Sequence, residues 1–356
     1  MINQLNYTNK AFFTGELLQW NRLENQRVMP WKNEKDPYKI WISEIILQQT
    51  RVRQGVEYYN RFIKAFPTVQ HLNNATENQV FKLWEGLGYY SRCKNIIASA
   101  RYIRDELGGK FPGNFNDILQ LKGIGTYTAS AIASFAYNLP HAVLDGNVFR
   151  VLSRFLGISA AIDSTDGKKI YSLVASELLD KKNPAIYNQA IMDFGATICK
   201  PKLPCCNICP LQQKCFALIN GMVDTLPVKE KIISRRNRWL YYLLIEWNNQ
   251  LYVRKRSAKD IWQNLNEFVL IEMPKPVSIA ALQASSSFQK IFNSVGFTIT
   301  SASKIYKQQL THQTITGRFI RICTKTRLTI PGYLPIPINE LNLLAFPKFI
   351  TTYLKD

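Results

Sequence analysis

Four cysteines fall within seventeen residues, Cys199-x6-Cys206-x2-Cys209-x5-Cys215, behind a helical stretch from Pro184 to Ile198. Thiolates at this density suit a metal, either a tetrahedral zinc or a [4Fe–4S] cluster, the plainer alternative being structural cysteines clustered by chance. Structural zinc sites usually pair two short Cys-x2–4-Cys knuckles. Here only Cys206 and Cys209 form one, between two longer gaps, so the spacing favours iron–sulfur and leaves zinc open. Cys205 reads as a spare thiol, Cys93 and Cys323 as ordinary buried cysteines.

Two carboxylates stand where they could do acid–base or electrostatic work. Glu44 lies inside the apolar run Tyr38, Trp41, Ile42 and Ile45, which follows Asp36 as a helix N-cap and Pro37 at the first helical position, with Gln48 and Arg51 at helical spacing. A carboxyl presented from a buried element keeps its proton to higher pH, as a general acid near neutrality must. The plainer reading is a surface glutamate on an amphipathic helix. Asp145, in Leu144-Asp-Gly-Asn-Val-Phe-Arg150, precedes a helix whose Val148, Val151, Leu152 and Phe155 share one face. Its simplest role is an N-cap; in a cleft the same charge would stabilise a developing cation. Leu121-Lys-Gly-Ile-Gly-Thr-Tyr-Thr-Ala129 reads as a hairpin between helices. Gly123 and Gly125 permit the reversal and let backbone N–H groups approach a phosphate at the next helix start, with Ile124 as the anchor beneath.

The elements that must position these groups divide the chain. Residues 1 to about 222 follow helical periodicity, and the composition changes after Asp224-Thr-Leu-Pro227. A basic run of Lys229, Lys231, Arg235, Arg236 and Arg238 leads into Tyr241–Trp247, an Asn248-Asn249 turn and Leu251–Arg254, which is a hairpin signature. Strand-like stretches at Glu267–Ile271 and Ile315–Cys323 flank a helix near Ser278–Val295, so the second domain mixes α and β. A length of 356 residues suits two domains, and 46% hydrophobic content suffices for packed cores. Forty-five Lys and Arg against twenty-five Asp and Glu leave a net charge of +20, which favours a polyanionic partner, nucleic acid first. Met1–Asn21 lacks a charged region followed by an apolar core, and no run approaches a membrane span. The expectation is an intracellular, reducing location, cytoplasmic or nucleoid-associated, with no membrane partner.

Together with Pro30-Trp31, Trp41–Thr50 and Gly86-Leu-Gly-Tyr-Tyr90, these segments resemble the helix–hairpin–helix DNA glycosylase superfamily and, in detail, its adenine DNA glycosylase (MutY) family. The resemblance spans nearly the whole chain. It implies a mainly α fold: a two-lobed helix–hairpin–helix glycosylase domain with an iron–sulfur cluster loop over 1–222, a linker over 223–237, and a Nudix-like α/β domain over 238–356. The implied activity belongs to base-excision repair. A monomer would hydrolyse the N-glycosidic bond of adenine mispaired with 8-oxoguanine or guanine in double-stranded DNA, leaving an abasic site. By the same resemblance Cys199, Cys206, Cys209 and Cys215 hold a [4Fe–4S] cluster whose neighbouring loops help bind DNA. Glu44 would protonate the adenine, and Asp145 would stabilise an oxocarbenium-like sugar or a transient covalent adduct, supported by Tyr127 and Asn147. Gln49 and Tyr89 would wedge into the base stack, since the base must leave it before chemistry can reach it. Gly123 and Gly125 would meet the DNA backbone. Thr311 and His312 would read 8-oxoguanine, with Leu310 where the family often carries an aromatic residue.

Three rivals are weighed by particular residues. Relatives that also cleave the backbone carry a Schiff-base lysine where this chain has Tyr127, so the resemblance implies a monofunctional hydrolase. Trp262, Leu265, Glu267 and Phe268 match the Nudix-like run, but no Asp or Glu occurs from Met273 to Asn339, so an acidic metal-binding helix cannot form there. That region carries Lys290, Lys304, Lys307, Arg318 and Arg321 instead, which suits DNA contact. A catalytically silent iron–sulfur DNA-binding protein is the remaining alternative, and Glu44 and Asp145 argue against it.

Overall fold

The computed structural model describes residues 7–230 and 234–356. The first six residues of the N-terminal stretch and Lys231 of the basic run lie outside the described residues. Two compact units result, one of Met1–Asn74 with Asn95–Lys231, the other of Ala75–Lys94 with Ile232–Asp356.

The first unit is helical. In the Pro37–Leu47 helix the Asp36 side chain accepts from the Tyr38 backbone N–H, and Pro37 occupies the first turn, where a missing N–H costs nothing. Residues 40–46 are all buried, so this helix has no wet face and lies packed on the Thr126–Tyr137 helix. It ends sooner than the spacing suggests. Gln48 is its C-cap, Gln49 turns the chain at φ 56°, and Arg51 becomes the N-cap of the Val52–Ala65 helix instead of sharing a face with Glu44. Phe13, Leu17 and Trp20 of the Tyr7–Leu23 helix pack with Val148, Val151, Leu152 and Phe155 of Gly146–Leu156 and with Tyr187, Ile191 and Phe194 of Pro184–Thr197.

The hairpin before Thr126 needs one glycine for its geometry. Gly123 has φ 82°, and a Cβ there would fall 2.4 Å from the Asn95 amide. Gly125 is extended at φ −98°, and a Cβ would meet nothing within 4 Å, so the reversal does not depend on it. Farther on, the start of the stretch read as a linker is tied to the helical unit. The Leu226 carbonyl accepts from Arg154 Nε at 3.1 Å, the Val228 carbonyl from Ile162 N at 3.1 Å, and the Asp163 carboxylate from Glu230 N at 3.0 Å.

The second unit is built on a mixed sheet of β1 (Arg236–Trp247), β2 (Gln250–Lys255), β3 (Asn266–Met273), β4 (Phe297–Ala302), β5 (Tyr306–Gln309), β6 (Gln313–Thr324) and β7 (Leu334–Pro337). Its order is β4-β6-β1-β3-β2-β7, with β5 on β6; β1 and β6 run parallel and the other pairs antiparallel. Asn248 and Asn249 have φ of 47° and 59°, the left-handed pair that a two-residue hairpin requires. One sheet face packs Tyr241, Leu243 and Ile245 against Leu282, Phe288 and Phe292, while Tyr242 on the other stacks on Phe319. The helix expected near Ser278–Val295 is two helices, Ile279–Gln283 and Ser286–Phe292, because the Ser285 hydroxyl caps a new start by accepting from Phe288 N. Cys323 is exposed, not buried: it alternates along β6 with buried Ile322 and Thr324. Residues 75–94, which the sequence pattern places with the helical domain, cluster with this sheet unit through contacts of the Glu77–Trp84 helix and the turn after it.

Candidate active site

Glu44 is 6% exposed at the wall of a cavity of ≈ 820 Å³ that Gln49, Tyr127, Asp145 and Asn147 also line. Loss of water pushes its carboxyl up to about 7; a hydrogen bond donated by Tyr127 opposes the rise and the Asp145 charge adds to it. The reading as a surface glutamate therefore fails. Tyr127 comes from the first turn of the Thr126–Tyr137 helix, and burial next to two carboxylates holds it well above the ordinary phenol range, so it stays a donor.

Asp145 is helix cap and cavity wall at once. One oxygen accepts from the Asn147 and Val148 backbone N–H groups, each at 2.8 Å, and the other from the Asn147 amide at 2.6 Å. Burial raises its pKa, while these donors and the Arg150 charge favour the anion. Asn147 in turn accepts from Arg150 at 2.8 Å, and Arg150 reaches the carbonyls of Gly195 at 2.6 Å and Cys199 at 2.7 Å. Sequence reasoning missed Arg150 and Arg154. The available signal was Arg150 three residues beyond Asn147 and Arg154 four beyond Arg150, helical spacings along a helix with an apolar face. It also missed Asp193, fully buried, whose carboxylate holds Arg27 at 2.8 Å, Gln189 at 2.9 Å and Lys32 at 3.0 Å along the same cavity.

The cysteine loop continues from this network. Arg154, 3% exposed, donates to Cys199 Sγ at 3.5 Å and to the Lys200 carbonyl at 2.8 Å. Burial and the charge of one another, Cys199 in each case, push up the thiols of Cys206, Cys215 and Cys209, the last to about 12. The four expected cysteines thus lie within electrostatic reach of each other, all as free cysteines. Among the described residues, no group of three or more His, Cys, Asp or Glu side chains is arranged to hold a metal ion.

Gln49, Gly123 and Gly125 belong to the helical unit, whereas Tyr89, Thr311 and His312 belong to the other. There the Tyr89 hydroxyl is hydrogen-bonded to the Thr311 hydroxyl across 222 residues of sequence. Tyr89 is 43% exposed at φ 49°, unlike a core aromatic. Thr311 and His312 form the turn between β5 and β6, closed by Leu310 N on the Gln313 carbonyl at 2.7 Å; the His312 side chain is exposed. Glu267 is fully buried with its oxygens held by Arg254 and Arg256, so it has no free edge for a metal.

Residues 42–174 match the family model described as HhH-GPD superfamily base excision DNA repair protein. Over 257 residues the chain is 40% identical to the adenine DNA glycosylase of Buchnera aphidicola subsp. Schizaphis graminum, covering 71% of this chain and 73% of that one. The chain belongs to the adenine DNA glycosylase family. The human adenine DNA glycosylase is likewise 40% identical, over 214 residues that cover 58% of this chain and 39% of the human one. Among solved structures, a thermostable thymine-DNA glycosylase superposes with TM-score 0.56 at 27% identity, covering 60% of this chain and 98% of that one. Endonuclease III, trapped as a covalent DNA intermediate, gives TM-score 0.53 at 19% identity over 61% and 99%, which bears on the fold alone. An adenine DNA glycosylase of base-excision repair hydrolyses an N-glycosyl bond, and its fold is the helix–hairpin–helix glycosylase unit followed by a mixed-sheet unit. Among the described residues no helix is long and apolar enough to cross a membrane.

Proposed function

We propose that the chain excises adenine opposite 8-oxoguanine, and opposite guanine, in double-stranded DNA, acting as a monofunctional monomer that leaves an abasic site. The observation that carries this reading is a buried carboxyl raised to about 7 and a hydrogen-bonded carboxylate, Glu44 and Asp145, on one cavity. With adenine extruded into that cavity, Glu44 gives its proton to a ring nitrogen, so the base leaves neutral. The sugar becomes cationic, and the Asp145 anion stabilises it through space or as a transient adduct. Water then adds at the anomeric carbon and returns a proton to Glu44. Tyr127 orients Glu44, Asn147 and Arg150 orient Asp145, and no amine is present at position 127 to form a Schiff base.

Gln49 and Tyr89 fill the stack the base has left; their left-handed φ values of 56° and 49° at exposed turns support that role. Gly123 and Gly125 present the first turn of the Thr126–Tyr137 helix to a DNA phosphate, and the space open above Gly125 suits it. Thr311 and His312 read the lesion, whose C8 carbonyl and N7–H distinguish it from guanine. The domains divide functionally as 1–222, a linker over 223–237, and a Nudix-like, non-hydrolytic reader over 238–356. Its Glu267 is engaged by arginines, which supports binding over metal-dependent hydrolysis. The protein would act inside the cell, where DNA is kept.

Cys199, Cys206, Cys209 and Cys215 fit a [4Fe–4S] cluster as four mutually coupled thiols beside two buried arginines that offset the negative charge of such a group. When bound, the cluster would stiffen the loops on which DNA is held. A silent DNA-binding scaffold explains neither the proton kept on Glu44 nor the donors gathered on Asp145. On a panel of mispaired duplexes, adenine opposite 8-oxoguanine and guanine should be excised, with strand breakage only after alkali; stoichiometric breakage without alkali would overturn the monofunctional reading. Anaerobically purified protein should be brown and carry about four irons per chain. Zinc in their place would defeat the cluster assignment.

A further inference from the structure

Lys82 and Glu85 join stretches of chain 262 and 261 residues apart. Glu85 Oε1 accepts from the Phe346 backbone N–H at 2.8 Å, Lys82 Nζ donates to the Leu344 carbonyl at 2.9 Å, and the two side chains pair with each other at 3.0 Å. The grip on the far side is firm. Phe346, 1% exposed, stacks on Phe268 of β3 with ring centres 5.3 Å apart, and the Ala345 carbonyl accepts from Asn266 N at 2.8 Å.

On the near side the turn after Glu85 is stiff. Gly86 and Gly88 take φ of 88° and 82°, and the Tyr90 hydroxyl accepts from Gly86 N at 3.1 Å. The Gly88 carbonyl accepts from Trp84 Nε1 at 3.2 Å and from Arg92 Nη2 at 3.1 Å. The Arg92 guanidinium lies 5.3 Å from the centre of the Tyr89 ring, and the hydroxyl of that ring meets Thr311. The place of a side chain at the end of a stiff turn is set by where the turn is held.

We propose that Lys82 and Glu85 form a clamp that seats Tyr89 against Thr311 and thereby sets the preference for 8-oxoguanine over guanine opposite adenine. The inference rests on Thr311 as lesion reader. Both clamp residues are positioning residues, since neither touches a base. Telling the two purines apart requires a donor or acceptor held to within a few tenths of an ångström, because hydrogen bonds weaken steeply with misalignment. Stacking of the Tyr89 ring tolerates a looser seat. Loosening the clamp should therefore cost lesion preference and spare adenine excision from A:G.

The test uses full-length, iron-loaded Glu85→Ala, Lys82→Met and Glu85→Gln, with single-turnover excision on A:8-oxoguanine and A:G duplexes. Glu85→Ala should lower the ratio of the two rates roughly tenfold, about what one charge-assisted hydrogen bond is worth, while the A:G rate holds. Glu85→Gln keeps an acceptor for Phe346 N and should restore part of the ratio. Amide exchange should quicken together at 86–90 and 344–346 in Glu85→Ala. Equal loss on both duplexes would mean a merely structural role and would overturn the clamp. Thr311→Val separates the two ideas: an unchanged preference removes the lesion reader and the clamp with it. Preference lost in Thr311→Val but kept in Lys82→Met and Glu85→Ala refutes the clamp alone. Should Glu85→Ala fail to fold, Lys82→Met and Glu85→Gln are judged by the same ratio.

Discussion

Glu44 keeps its proton to about pH 7 because the helix that carries it has no wet face, and Tyr127 only partly offsets that burial. On the proposed mechanism its acid form is the reactive one, so excision should fall as pH rises through about 7. The same mechanism needs Asp145 ionised, so the rate should fall again on the acid side of its own raised value. Glu44→Gln keeps size and polarity but has no proton to give; single-turnover excision should drop by roughly 10²–10⁴ with duplex binding retained. Near-normal excision would return Glu44 to a structural role. The stability of the Gln variant should move opposite to its activity. A carboxyl raised from 4.5 to about 7 favours the folded state below the lower value, and that contribution is lost as pH climbs through the upper one. At pH 8 the Gln variant should melt higher than its parent, by up to about 3 kcal/mol, with the gap closing towards pH 4.5.

Hairpin geometry divides two neighbouring glycines that look alike in sequence. Gly123→Ala puts a methyl into the Asn95 amide and an L-residue at φ 82°, so urea unfolding should show a loss of at least about 1–2 kcal/mol. Gly125→Ala should unfold like the parent yet bind duplex more weakly, because only the ligand needs that space. Equal stability losses would show that both serve the turn. Local signals of this kind were readable: Asp36 and Asp145 cap helices because a carboxylate before an apolar run has one obvious use, and Asn248-Asn249 can only reverse a hairpin tightly. Ser285 obeys the same capping chemistry, but the apolar residues on either side of it mask the break between two short helices. Arg51 was misplaced because periodicity carries on past the point where Gln49 turns the chain.

At the scale of the molecule, the sequence pattern is weakest where contacts are long. Nothing in residues 75–94 or 310–313 signals that Tyr89 and Thr311 meet, since neither periodicity nor capping encodes a pairing across 222 residues. Asp193 was invisible for the same reason, its charged partners Arg27 and Lys32 lying more than 160 residues upstream. Net charge needs no contact map. A surplus of +20, with a stretch from Met273 to Asn339 free of acidic residues, should bind DNA largely by releasing counterions. Affinity for a mispaired duplex should therefore fall linearly on logarithmic axes with salt, by roughly 10³ or more between 50 and 200 mM where six or more phosphates are neutralised. On the proposed mechanism the chemical step depends on buried Glu44, where screening by salt is slight. Single-turnover excision at saturating enzyme should then be nearly flat over the same range. An affinity indifferent to salt, measured by titration at equilibrium, would mean that the positive surplus does not face the DNA.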